Sequence, residues 1–169
     1  MMNETKQVVA SPYWLKVPLE TVTDLMEMDH LDISEVDIVK ALVKWGKAQV
    51  QLDGGDPGDG EELRKKIESC LKLIRFKAMD NKEFAQLSYA ELKNCLSLEE
   101  KFAIVSSIAL EDWNLMPALF TPQKDSRAHP STRYYQPGCS SFFTYKLIID
   151  SNTACILILL FNPFWEVYN

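Results

Sequence analysis

Along the first two thirds of the chain, apolar residues recur at three- and four-residue spacing, which predicts a series of amphipathic helices. Leu19, Val22, Leu25 and Met26 follow Pro18, a residue tolerated in a first turn, and predict a helix ending near Met28 before a short link over 29–33. The next element is the clearest. Ser34 suits an N-cap, with Asp37 three residues on in a capping-box position. Val36, Val39, Gly46, Val43 and Val50 share one track, and Ile38, Leu42 and Trp45 form the adjacent one. Asp37, Lys40, Lys44, Lys47 and Gln51 are left on a narrow polar strip. So narrow a strip predicts a helix buried over more than half its circumference, the central helix of a bundle with Trp45 in the core. Trp14, beside Pro12 and Tyr13, is placed instead at an inter-domain surface.

Residues 52–60 hold four glycines and Pro57, which stop the helix and predict a mobile, solvated connection. Glu61 and Glu62 open a further helix, where acidic side chains suit the positive end of the dipole. Leu63, Ile67, Cys70, Leu71 and Ile74 occupy one face of it, with Arg64, Lys65, Lys66 and Lys72 off that face. Asp80 and Glu83 cap a short helix carrying Phe84 and Leu87, and Ser97 with Glu100 forms an S-x-x-E capping box. The helix behind that box is expected to turn Leu98, Phe102, Val105 and Ala109 to one side, with Ile104 and Ile108 close by.

From Pro117 to Ser141 the chain becomes rich in Pro, Ser, Thr and Gln, a loop or linker pattern. Two β-prone runs then flank Asp150, Ser151 and Asn152, a hairpin signal. An isolated hairpin is marginal in water, so this tail reads as an incomplete or aberrant β segment. The expected architecture is therefore mainly α: a helical domain over 11–110, a Pro-rich linker over 111–141, and a short β-prone tail over 142–169.

Composition narrows the chemistry. The 169 residues carry a formal net charge of −6, which disfavours a nucleic-acid footprint. Arg127, Arg133, Tyr134 and Tyr135 are too few for an RNA patch in an acidic chain. The polar start predicts no signal peptide, and the longest apolar run, 154–161, is far below the roughly 20 residues a membrane span needs. Cytosol or nucleus is the expected compartment, with no membrane partner. Four cysteines occur without a C-x-x-C pair, so a zinc ribbon is not expected, and Cys70 and Cys95 read as reduced, packed thiols. The carboxylate-rich loop fails as a calcium site: counted from Asp53, ligand positions 3 and 5 are Gly55 and Pro57, and counted from Asp56 they are Gly58 and Gly60. His30 reads as a capping or surface residue and His129 as a solvated linker residue, so neither makes a Cys–His nucleophile. No phosphate-loop, hydrolase-elbow or dinucleotide fingerprint occurs.

The run from Ser34 to Trp45 resembles the signature helix of the BACK domain, the helical module that follows BTB/POZ in many adaptors; the matching residues are Glu35, Val36, Ile38, Val39, Ala41, Leu42 and Trp45. The stretch from Leu15 through Pro18 to Leu25, with Asp29 and Leu31, resembles the preceding helix and its D-x-L link. Ile74, Arg75 and Phe76 match the I-R-F segment. The stretch from Cys95 to Glu100 is similar to the branch with a PHR-type C-terminal domain. The likeness covers about Ser11 to Ala109 and contains no BTB domain. It implies a non-enzymatic scaffold that positions a substrate protein for a cullin-RING ubiquitin ligase, or else a stand-alone truncated module that competes with a full-length adaptor. It implies no catalytic residue, cofactor or metal. The cullin subunit would be reached through the missing BTB domain. The family-signature residues it marks as structural are Pro18, Glu35, Ala41, Leu42, Trp45, Ile74, Arg75 and Phe76.

Overall fold

The structure, a computed structural model, describes residues 4–29, 31–120, 144–149 and 156–161. The chain divides into two compact units, Met1–His129 and Pro130–Asn169. Among the described residues the first unit holds six α-helices: α1 Glu4–Ala10, α2 Leu19–Glu27, α3 Glu35–Leu52, α4 Gly60–Leu71, α5 Asn81–Tyr89 and α6 Leu98–Leu110. Short 3-10 turns at Pro12–Lys16, Phe76–Ala78 and Trp113–Leu115 punctuate them.

Helix α3 is central. The Ser34 hydroxyl accepts the Asp37 N–H at 3.1 Å, whereas the Asp37 carboxylate pairs with Lys6 rather than closing a capping box. Glu35, Ile38, Val39, Ala41, Leu42, Val43, Trp45, Gly46 and Val50 are buried, and Lys40, Lys44, Lys47 and Gln51 face solvent. That is the broad burial the narrow polar strip predicts. Helix α3 packs most extensively on α4 and also touches the first 3-10 turn, α5 and α1. The α3–α4 approach is close because Gly46 has no side chain: a Cβ there would lie 2.4 Å from Ile67 Cγ2 and 2.7 Å from Leu63 Cδ1.

The glycine-rich connection is built from local hydrogen bonds. Gly54, at φ +81°, and Gly55 close a Schellman cap, with Gly55 N–H donating to the Val50 carbonyl at 2.9 Å and Gly54 N–H to Gln51 at 3.1 Å. The Asp56 carboxylate then accepts the Gly58 N–H, and Asp59 caps α4 through the Glu61 and Glu62 amides. Full capping boxes start α5 at Asp80/Glu83 and α6 at Ser97/Glu100, as their local spacing predicts.

Three elements differ from the sequence reading. Pro18 occupies the N-cap of α2 rather than its first turn: it leaves the preceding 3-10 turn with an extended ψ of 150°, and its carbonyl accepts the Val22 N–H. Trp14 is not at a surface; it is only 2% exposed and lies in the core. The third is the orientation of α6. Ile104 and Ser107 are its buried residues, whereas Leu98 and Phe102 are 83% and 73% exposed. The helix is apolar around most of its girth, so periodicity does not select a face. Glu100, Ile104 and Ser107 lie on the side opposite Leu98, Phe102, Val105 and Ala109, and the grip of Arg64 on Glu100 turns that side inward.

Packing also continues beyond both ends of the expected helical domain. Val9 of α1 is buried. Phe120 is buried and meets Phe76 edge-on, with ring centroids 5.1 Å apart at 82°, while Phe84 meets Phe76 at 5.5 Å and 86°. In the second unit, β1 Thr144–Ile149 pairs antiparallel with β2 Ile156–Phe161, in a register that sets Thr144 opposite Phe161 and Ile149 opposite Ile156. His30, His129, Arg127, Arg133, Tyr134, Tyr135, Cys139 and Cys155, and most of the expected linker, lie outside the described residues.

Candidate functional site

Of the residues marked by sequence, Ala41, Trp45, Glu35 and Arg75 make bonds between α3 and the segments that flank it. Two indoles stitch the first joint from opposite sides. Trp45 Nε1–H, on α3, donates to the Val17 carbonyl at 2.8 Å, next to Pro18. Trp14 Nε1–H, in the first 3-10 turn, donates to the Ala41 carbonyl of α3, also at 2.8 Å. Between them the Gln49 side-chain amide donates to the Leu15 carbonyl at 2.7 Å. Three side chains therefore satisfy carbonyls of the opposing backbone in a largely buried seam, where an unpaired polar group is costly. Neither Gln49 nor the exchange of bonds by the two tryptophans carries a sequence signal, because the partners are 27 to 34 residues apart.

The second joint ties the start of α3 to the segment after α4. Glu35 is buried, and its Oε2 accepts the backbone N–H of Arg75 at 3.3 Å. The Arg75 guanidinium, itself buried, donates through Nη2 to Asp29 Oδ1 at 2.5 Å. Ile74 and Phe76 on either side are fully buried, as is Leu42. Ala41 and Trp45 thus take part in one joint and Glu35 and Arg75 in the other, while Pro18 is exposed beside Val17 and Ile74 and Phe76 flank Arg75 in the core.

A third joint, missed by the sequence reading, holds α6 to α4. Arg64 engages Glu100 through two parallel bonds, Nη1 to Oε2 at 3.1 Å and Nη2 to Oε1 at 2.9 Å, and Nη1 also reaches the Cys95 carbonyl at 2.7 Å. Burial works against the Glu100 carboxylate, but the Arg64 hydrogen bonds and the Ser97 amide outweigh it and hold its carboxyl below the ordinary range.

The chemistry available around these joints is sparse. Burial pushes the Cys70 thiol up, with hydrogen bonds to Thr23 and Ser69 offsetting it in part. Burial likewise raises Cys95 against the charges of Arg64, Lys47 and Lys101. Both thiols stay protonated, the opposite of an activated nucleophile. An open groove of about 310 Å³ beside the α3–α4 connection is lined by Val50, Asp53, Gly55, Glu62, Lys65 and Lys66, with Asp53 and Lys66 ion-paired. Among the described residues no group of three or more His, Cys, Asp or Glu gathers to hold a metal ion. No described helix is long and apolar enough to cross a membrane. The arrangement fixes backbone segments against one another.

The family model described as BACK, BTB And C-terminal Kelch, matches residues 1–87, from α1 into α5 and across all eight marked residues. No solved structure matches the chain.

Proposed function

Because the chain belongs to the BACK family, whose model spans residues 1–87 of 169, we propose that it serves as a non-enzymatic spacer in a BTB-Kelch-type adaptor. The bundle would hold a substrate-binding module at a fixed angle to a BTB dimer on a cullin-RING ubiquitin ligase, and the ligation chemistry would reside in other subunits. The observation that supports this reading is the double indole seam, in which Trp14 and Trp45 exchange hydrogen bonds between the entry segment and α3. Such cross-stitching removes a hinge where a spacer must not bend.

A two-part capture experiment tests the reading. The chain alone should retain a cullin weakly or not at all, and the same chain placed behind a BTB domain should retain it strongly. A flexible segment in place of residues 11–110 should leave that capture intact and lower substrate ubiquitination. Strong capture without a BTB domain, or undiminished ubiquitination with the flexible segment, would overturn the proposal.

A further inference from the structure

Leu98, Phe102, Val105 and Ala109 form a single outward stripe along α6, and its 4-3-4 spacing is that of a two-helix seam. Leu98, Phe102 and Ala109 are exposed and Val105 is half-buried. Two properties of the stripe define what fits against it. The first is the gradient of side-chain size, with Leu98 and Phe102 at the start and Val105 and Ala109 at the end. A second copy turned end for end about an axis near residues 103 and 104 would set Leu98 opposite the partner's Ala109 and Phe102 opposite the partner's Val105. Large then meets small at each level, and the contact is self-complementary.

The second property is charge. The start of the stripe is flanked by Lys93 and Lys101, whose Nζ donates to the Lys93 carbonyl at 2.5 Å. Glu100 is taken up by Arg64, leaving Glu99 as the exposed acid at this end. The far end carries Glu111 and Asp112, both exposed. An antiparallel second copy brings the basic start against the acidic end, twice over; a parallel one sets like charge on like.

We propose that the α6 stripe is a contact between two antiparallel copies of this chain. A stripe about 17 Å long covers less than the ~800 Å² per partner of a standard interface, so the association is weak and readily reversible.

Sedimentation of the full chain between about 5 and about 500 µM tests this. The weight-average mass should rise from 19.4 kDa toward twice that value. Phe102→Glu and Leu98→Glu, both at exposed positions, should each weaken association at least tenfold with unchanged far-ultraviolet dichroism. Lys93→Glu should also weaken it, and adding Glu111→Lys with Asp112→Lys should restore it. A monomer at every concentration, or association indifferent to both stripe variants, overturns the proposal. Failure of the paired charge reversal to restore association overturns the antiparallel arrangement. None of these readouts involves a cullin or a BTB domain, so the outcome is separate from the spacer reading.

Discussion

Glu35, the first residue of α3, accepts the backbone N–H of Arg75 at 3.3 Å across 40 residues of sequence. The Arg75 side chain reaches on to Asp29 in the link before α3. One arginine thus joins the α2–α3 link, the α3 N-terminus and the segment after α4. Asp29 is mostly exposed, so removing the arginine does not leave that acid desolvated; what is lost is a charge-assisted hydrogen bond and the packing of the buried arginine stem, about 1.5–3 kcal/mol. Arg75→Ala should therefore lower stability by that order, read as a reduced urea midpoint with little change in slope. Arg75→Lys should recover only part of the loss, since a point charge lacks the planar fork. A midpoint equal to that of the unmodified chain would show that the cluster adds nothing to the joint.

How much of this was legible from sequence divides by the range of the interaction. Ser34, the Asp80/Glu83 box and the Ser97/Glu100 box could be read because each bond spans three residues. The burial of α3 could be read because its polar strip is narrow. The pairing of Arg64 with Glu100, 36 residues apart, had no local signature. Without it the rotation of α6 could not be chosen, since an all-round apolar helix has no preferred face. The glycine-rich connection was read from composition alone, which counts glycines but does not tell which one takes a positive φ. Trp14 shows the same limit, because its neighbours Pro12 and Tyr13 say nothing of an acceptor 27 residues away.

Trp45→Phe preserves most of the ring and deletes the donor to the Val17 carbonyl. A buried carbonyl left without its partner costs about 1–3 kcal/mol. Trp14→Phe should cost less, because the Ala41 carbonyl keeps its partner in the α3 hydrogen-bond ladder and only a second bond is lost. Both bonds close the same seam, so the double variant should depart from additivity by about 0.5 kcal/mol or more. Strict additivity in chemical denaturation would mean that the two indoles act independently.

Gly46 reverses the usual rule for helix interiors. Alanine is intrinsically better in a helix by about 1 kcal/mol, so an exposed Gly→Ala change stabilises. At Gly46 the added methyl would meet Ile67 Cγ2 at 2.4 Å, on a β-branched side chain with little freedom to move. Overpacking of this kind costs about 1–3 kcal/mol and outweighs the propensity gain. Gly46→Ala should lower the melting temperature, and the same change with Ile67→Ala should cost less than the sum of the two single changes. A rise in melting temperature for Gly46→Ala alone would mean that α3 and α4 separate easily.

The Arg64–Glu100 joint makes stability depend on acid in a stated direction. Glu100 has its carboxyl held below the ordinary value of 4.5 in the folded chain, while the unfolded chain titrates near that value. On acidification the unfolded state takes up the proton first. The stabilisation is thus fully present above the unfolded value, shrinks as the pH falls below it, and is gone once the pH drops through the folded value. Glu100→Gln removes the titrating group and weakens the bidentate grip of Arg64 at all pH values. The stability difference between the unmodified chain and Glu100→Gln should therefore be constant from pH 6 to pH 7 and narrow below about pH 4.5. Arg64→Met should reduce that narrowing, because only the Ser97 amide and hydroxyl then oppose the burial that disfavours the charged carboxyl. Paired urea titrations at several pH values read the difference directly, and a gap that widens on acidification would reverse the assigned sign.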